Sequence, residues 1–359
     1  MGYFFLIASL ILWVMFAVTG AWFYKIFPAL GWKIPVVLLP ILLTLFMRFT
    51  MAYTRTHYGT WESILYYAAY ILAGLVFVFF SVILLFFIAW GICALLHIPA
   101  QAVLKWSSIV VLTLLTLLSV WGGFAKPKIK HISLTIPGAP AMTAAVISDA
   151  HLGTGVSLSR WKKALADIQT QQPDIIFVLG DLFEYGMNRK DYADALAAVK
   201  TPLGIYGVLG NHEYYMGYEN SVRFYEQAGI KLLQNQIETL PNAVQIIGVN
   251  DIKTAHVTEK QLEQLLAKTN PAAPRILLSH QPLLTEVAAG HNIPLMLSGH
   301  THGGQIWPFH YLVKTQFPRI YGLHEVSGMK FYITSGVFYW GIPLRFLAPA
   351  EIALVEVNP

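Results

Sequence analysis

Seven side chains able to ligate metal lie in short, mostly glycine-punctuated runs: Asp149, His151, Asp181, Asn211, His280, His300 and His302. The runs read Ser148-Asp149-Ala150-His151, Gly180-Asp181, Gly210-Asn211-His212-Glu213, Ser279-His280 and Gly299-His300-Thr301-His302-Gly303-Gly304-Gln305. Oxygen and nitrogen donors in that number are about what two neighbouring divalent ions require, and such a pair can activate water and hold a phosphoryl group. A carboxylate has two oxygens and can touch both ions, while Asn211 would add a neutral carbonyl oxygen. If 299–303 is extended, His300 and His302 project to one side and can reach adjacent ions. A donor set without sulfur suits Mn²⁺, Fe or Zn²⁺.

Donors so far apart in sequence need a scaffold that gathers them. Each run follows the end of an apolar stretch: Ala144 to Ile147, Ile175 to Leu179, Ile205 to Leu209, Ile276 to Leu278 and Leu295 to Leu297. Continuous apolar runs of this length predict strands buried on both faces. Amphipathic stretches at 159–170, 191–199, 219–228 and 259–268 alternate with them, so the class is α/β, with strand-rich closing segments at 331–334 and 352–357. In such folds sites form at the carboxyl ends of strands, where these donors stand. The segment 127–137 is expected to lead out of the membrane part.

Composition divides the chain. It is 56% hydrophobic and 12% charged, with a mean hydropathy of +0.55, against about 25% charged for a soluble protein. The excess lies before Lys126, giving a membrane domain at 1–125 and a globular domain at 126–359. Apolar runs at 3–23, 34–47 (extending to 53 if Arg48 snorkels or faces other helices), 64–96 and 106–124 predict four transmembrane helices. Trp22, Trp32, Trp61, Trp90, Trp106 and Trp121 stand near run ends, as an aromatic belt would place them. No basic n-region precedes the first run and three more follow, which argues against a cleaved signal peptide. Arg48, Arg55, Lys126, Lys128 and Lys130 on one side outnumber Lys25, Lys33 and Lys105 on the other, which favours a cytoplasmic globular domain. The spans contain no buried Asp, Glu or Lys, so a transporter is poorly supported. The only cysteine, Cys93, excludes an internal disulfide. The net charge of +5 forms no basic patch interleaved with aromatics, so nucleic acid is not an expected partner.

The motifs resemble those of calcineurin-like metallophosphoesterases, particularly a membrane-anchored bacterial branch. The resemblance is carried by Ser148-Asp149-Ala150-His151-Leu152-Gly153, Leu278-Ser279-His280-Gln281-Pro282, 299–305, Gly341-Ile342-Pro343-Leu344-Arg345-Phe346 and Pro349-Ala350-Glu351-Ile352. It implies a four-layer α/β/β/α sandwich behind the helical membrane domain. It implies one metal on Asp149, His151, Asp181 and His302 and a second on Asp181, Asn211, His280 and His300, with Mn²⁺ favoured. His212 would stabilise the transition state or protonate the leaving oxygen, and a hydroxide bridging the metals would attack phosphorus. Arg345 is the candidate for gripping phosphate, since guanidinium binds it bidentately. Where the family commonly has Asp three residues after Asp181, this chain has Glu184. His131, His256, His291, His310 and His324 match no ligand position and are expected at the surface or in packing.

The expected activity is hydrolysis of a phosphodiester or pyrophosphate at the inner membrane. A lipid-linked substrate such as a UDP-diacylglucosamine is suggested by analogy with relatives. The competing expectation is a metal-binding membrane sensor or scaffold without turnover.

Overall fold

A computed structural model describes residues 2–28 and 33–359, with side chains from residue 6 onward except those at 8 and 33–37. It divides into two units. One comprises 1–124 with the short stretches 306–308 and 341–346; the other comprises 125–305, 309–340 and 347–359.

The first unit contains the helices α1 (Gly2–Ile26), α2 (Lys33–Tyr53), α3 (Thr60–Leu95) and α4 (Gln101–Phe124). Among the described residues, three helices are long and apolar enough to cross a membrane: Ser9–Ile26, Thr60–Leu95 and Gln101–Phe124. The part of α2 with described side chains, Leu38–Tyr53, is a shorter apolar helix. Arg48 on α2 donates to Ser9 Oγ of α1 at 3.0 Å, so it faces a neighbouring helix. Ser81 and Thr116 donate to carbonyls four residues back, satisfying their hydroxyls within their own helices. Trp61, Trp106 and Trp121 are exposed, as a belt requires, but Trp22 is fully buried and donates to Ser108 Oγ at 3.1 Å. Trp32 lies outside the described residues.

The stretches 306–308 and 341–346 pack within this unit because α4 presents bare backbone to them. A Cβ on Gly122 would lie 2.2 Å from the Arg345 carbonyl oxygen, and one on Gly123 would lie 2.1 Å from that of Pro343. Arg345 N–H donates to the Ser119 carbonyl at 2.9 Å.

The second unit is built on two mixed six-stranded sheets. The first contains β1 (Lys128–Thr135), β2 (Met142–Ile147), β3 (Ile175–Val178), β4 (Ile205–Gly207), β5 (Ile230–Leu232) and β12 (Glu351–Asn358), in the order β1-β12-β2-β3-β4-β5. The second contains β6 (Gln236–Thr239), β7 (Gln245–Gly248), β8 (Arg275–Leu278), β9 (Leu295–Ser298), β10 (Gly322–Val326) and β11 (Met329–Ile333), in the order β10-β11-β9-β8-β7-β6. Val146, Phe177 and Val208 of the first half meet Ile246, Leu278 and Leu297 of the second in one core. Burying each such side chain contributes about 1.5–3 kcal/mol.

The alternate residues are as deeply buried, as runs without polar alternation require. Ile247, Leu277 and Met296 pack under α9 (Glu259–Leu266) and α10 (Thr285–Gly290). The first sheet's half carries α5 (Leu158–Thr170), α6 (Arg189–Ala197), α7 (Asn211–Tyr215) and α8 (Tyr218–Gln227), which bury Trp161, Leu196 and Phe224. The unit is thus an α/β sandwich, with two sheets face to face and helices on both outer sides. The exit segment contributes a strand: residues 128–135 form β1, paired parallel to β12 from Lys128↔Glu351 to Thr135↔Asn358. Lys128, Lys130, Ile132 and Leu134 alternate onto one face; Ile132 and Leu134 are buried there, while Lys130 Nζ donates to Tyr321 Oη at 3.0 Å, so basic side chains mask the pattern in sequence.

Candidate metal centre

The structure brings all seven predicted donors together from five strand ends. Asp149 follows β2, Asp181 follows β3, Asn211 follows β4, His280 follows β8 and His300 follows β9. Donor atoms of Asp149, His151 and His302 lie within 4.8 Å of one another, as do those of Asp181, His280 and His300. Asp181 stands between the groups: its Oδ2 is 3.2 Å from His280 Nε2 and 3.9 Å from His151 Nε2. Asn211 Oδ1 lies 3.2 Å from His280 Nε2.

Hydrogen bonding fixes which imidazole nitrogens face inward. His280 Nδ1 sits 2.7 Å from the Leu179 carbonyl and must donate to it, leaving the Nε2 lone pair for a cation. His151 Nδ1 is likewise committed to Glu184 Oε1 at 2.8 Å, so its Nε2 points at His302 Nε2, 3.1 Å away. Lone pairs aimed at one point are unfavourable until a cation takes it, so this donor set fits a divalent metal pair.

The backbone is bent to achieve this. Asp149, His151, Asp181, His300 and His302 all have positive φ, between 43° and 71°. Non-glycine residues rarely adopt that region, and such strain concentrates at functional sites. The extended geometry expected for His300-Thr301-His302 is therefore wrong: both histidines are left-handed, and His302–Gly304 forms a tight 3₁₀ turn. The turn still sends His300 to one donor group and His302 to the other.

Electrostatics divide the two buried carboxylates. Burial raises Asp149 above the usual carboxylate range, and the nearby Asp181 charge adds to it. Burial also opposes Asp181, yet the charges on His280 and His212 hold it well below that range. In the metal-free centre, His300 is pushed down to about 3 by burial and by the His280 charge.

These distances place the donors without naming a relative. The chain matches the calcineurin-like phosphoesterase family over residues 142–304. It is 33% identical over 249 residues to an uncharacterized metallophosphoesterase of Helicobacter pylori, covering 67% of each chain. The chain belongs to the calcineurin-like phosphoesterase family. A Campylobacter jejuni metallophosphoesterase is 30% identical over 264 residues, covering 72% of this chain and 70% of the relative. A Danio rerio transmembrane protein with metallophosphoesterase domain is 28% identical over 273 residues, covering 70% and 62%. The protein is thus a metal-dependent phosphoesterase with membrane-type helices.

Two acidic residues of this phosphoesterase have roles that sequence did not assign. Glu213 is fully buried and accepts N–H bonds from Asp181 (2.8 Å), Leu182 (2.7 Å) and Gly210 (2.7 Å), tying the Asp181 loop to the Asn211 loop. Its only sequence signal was a carboxylate directly after Gly210-Asn211-His212. Glu184 Oε1 lies 2.8 Å from His151 Nδ1 and 2.5 Å from His212 Nδ1. Burial opposes its ionisation, but the two imidazoles outweigh that and hold its pKa at about 2.

His212 is anchored twice, since its backbone N–H donates to Asp181 Oδ1 at 2.9 Å. Burial depresses its pKa, but in the metal-free centre the Asp181 and Glu184 charges lift it to about 9. Glu184→Gln removes one of those charges and should lower that pKa. Turnover that needs protonated His212 should then fall off at lower pH than in the parent, with kcat reduced about 10- to 100-fold. A pH profile of kcat checks this; an unchanged alkaline limb argues against the Glu184–His212 pairing.

Arg345 is the predicted site residue that groups elsewhere. It belongs to the helical unit and is 2% exposed.

Proposed function

We propose that the protein is a membrane-anchored, dinuclear-metal phosphohydrolase that cleaves a phosphodiester or pyrophosphate bond. The observation that carries this reading is the Asp181 carboxylate set between two groups of donors, 3.2 Å from His280 and 3.9 Å from His151. Asp149, His151, Asp181 and His302 would hold one ion, and Asp181, Asn211, His280 and His300 the other, with Mn²⁺ favoured over Fe or Zn²⁺. Such a pair, when bound, lowers the pKa of water and counters charge on phosphoryl oxygens.

The chain's own residues supply the rest. His212, protonated and held by Glu184 and Asp181, is placed to donate a proton to the leaving oxygen. Its ring stands edge-on to those of Tyr215 and Trp340, at 5.4 and 5.8 Å between centroids, which limits how it can swing. Arg345 remains the candidate phosphate contact. The apolar helices α1, α3 and α4 favour a substrate presented at the bilayer, such as a nucleotide-linked diacyl sugar. The basic-residue count favours a cytoplasmic catalytic unit on the inner membrane.

The test uses the full chain in detergent with Mn²⁺. It should bind two ions and hydrolyse bis-p-nitrophenyl phosphate, and lipid extracts should yield a substrate cleaved faster. Two bound ions with no turnover of diester, monoester or pyrophosphate would leave a sensor or scaffold as the better reading.

A further inference from the structure

Nine large apolar or aromatic side chains of the catalytic unit are exposed among the described residues, and five of them flank the stretches assigned to the helical unit. Phe309, Tyr311 and Leu312 follow Pro308, Trp340 precedes Gly341, and Leu347 follows Phe346.

The helix α11 (Phe309–Gln316) contains no buried residue. Tyr311 is 61% exposed and Leu312 60%. A helix on a globular domain normally buries an apolar stripe, yet here Leu312 is exposed and Val313 only partly buried, which leaves an apolar edge on the helix. Tyr311 borders it and Lys314 lies in the last turn. An apolar face edged by an amphipathic aromatic and a lysine suits a helix lying at the headgroup level of a bilayer. Leu347, at 74% exposure, and Trp340, at 52%, extend the same chemistry.

The three segments meet at the turn that carries His302. A Cβ on Gly304 would lie 2.3 Å from His310 Cβ, and one on Gly303 would lie 3.5 Å from Ala348 Cβ. Trp340 N–H donates to Gln305 Oε1 at 2.9 Å, and its carbonyl accepts from Gln305 Nε2 at 3.2 Å. Just beyond α11, the Phe317 ring stands edge-on to His300 at 5.0 Å between centroids.

We propose that α11, with Trp340 and Leu347, is a bilayer-contacting rim that holds the metal centre at the headgroup layer of a phospholipid membrane. The proposal rests on the membrane reading above but not on turnover. A phosphate linkage in the headgroup region could then reach the donors without its lipid leaving the bilayer.

The test is spin-label accessibility in phospholipid nanodiscs, using the full chain with Cys93→Ser. Labels are placed singly through Leu312→Cys, Leu347→Cys, Lys162→Cys on the exposed face of α5, and Leu114→Cys on α4. Labels at 312 and 347 should collide several-fold more with oxygen relative to a water-soluble nickel chelate than the label at 162. Accessibility at 312 and 347 equal to that at 162 overturns the proposal. So does shielding from both reagents, which would mean protein cover. The label at 114 keeps the two readings apart: oxygen-accessible at 114 but aqueous at 312 sinks the rim alone, whereas aqueous at 114 sinks the membrane reading and the rim with it.

Discussion

Asp181→Asn is expected to lower turnover of bis-p-nitrophenyl phosphate by about 10³-fold or more while leaving the fold intact. Asparagine keeps the shape and one acceptor oxygen, so the His212 N–H bond at 2.9 Å has a partner. It lacks the charge that faces His280 Nε2 at 3.2 Å and His151 Nε2 at 3.9 Å. Both donor groups lose their shared anion, and metal content should drop below two ions per chain.

A second readout comes from the metal-free protein. Burial disfavours charge on His280, but Asp181 overrides it and raises its pKa to about 10. A histidine whose folded pKa lies above its unfolded value, about 6.5, stabilises fully below that pH. The contribution is lost as pH rises through the folded value. The metal-free parent should therefore lose stability as pH approaches 10, and the asparagine variant should lose less. Urea midpoints at pH 7 and pH 10 check this. Parent-level turnover in the variant would remove the mechanism outright.

The donors were legible because each is a rare residue type at the end of an apolar run, and buried runs such as Ile175–Val178 and Leu295–Ser298 carry little contrary signal. What was illegible depended on contacts made across the fold. Glu213 reads as a surface acid until three backbone N–H groups are seen to converge on it. Glu184 reads as a conservative replacement until its oxygen is found between two imidazoles. β1 hid behind lysines because an edge strand buries only part of one face. The grouping of Arg345 with the helices depends on Gly122 and Gly123, and on how closely two backbones approach there. The left-handed histidines were missed for a related reason: alternation in sequence suggests a strand, whereas the site demands a turn.

That close approach of backbones also governs the strongest structural prediction. Gly180 and Gly210 precede the donors Asp181 and Asn211, and their loops touch with no side chain between them. A Cβ on Gly180 would lie 2.3 Å from Gly210 N, 2.7 Å from its Cα and 2.9 Å from the Leu209 carbonyl carbon. These are backbone atoms held by the Glu213 hydrogen bonds, so no rotamer change relieves the clash. Gly180 also sits at φ +92°, a conformation that L side chains rarely adopt. Gly180→Ala should therefore cost about 3 kcal/mol or more. It should also separate Asp181 from Asn211, so that metal binding and turnover fail together. Gly138→Ala is the matched control, with φ +76° and nothing within 4 Å of the added Cβ. Strain alone acts there, so a loss of about 1 kcal/mol with unchanged turnover is expected. If thermal melts and metal analysis show the two variants behaving alike, the contact between the loops is not what holds Asp181 and Asn211 around a common centre.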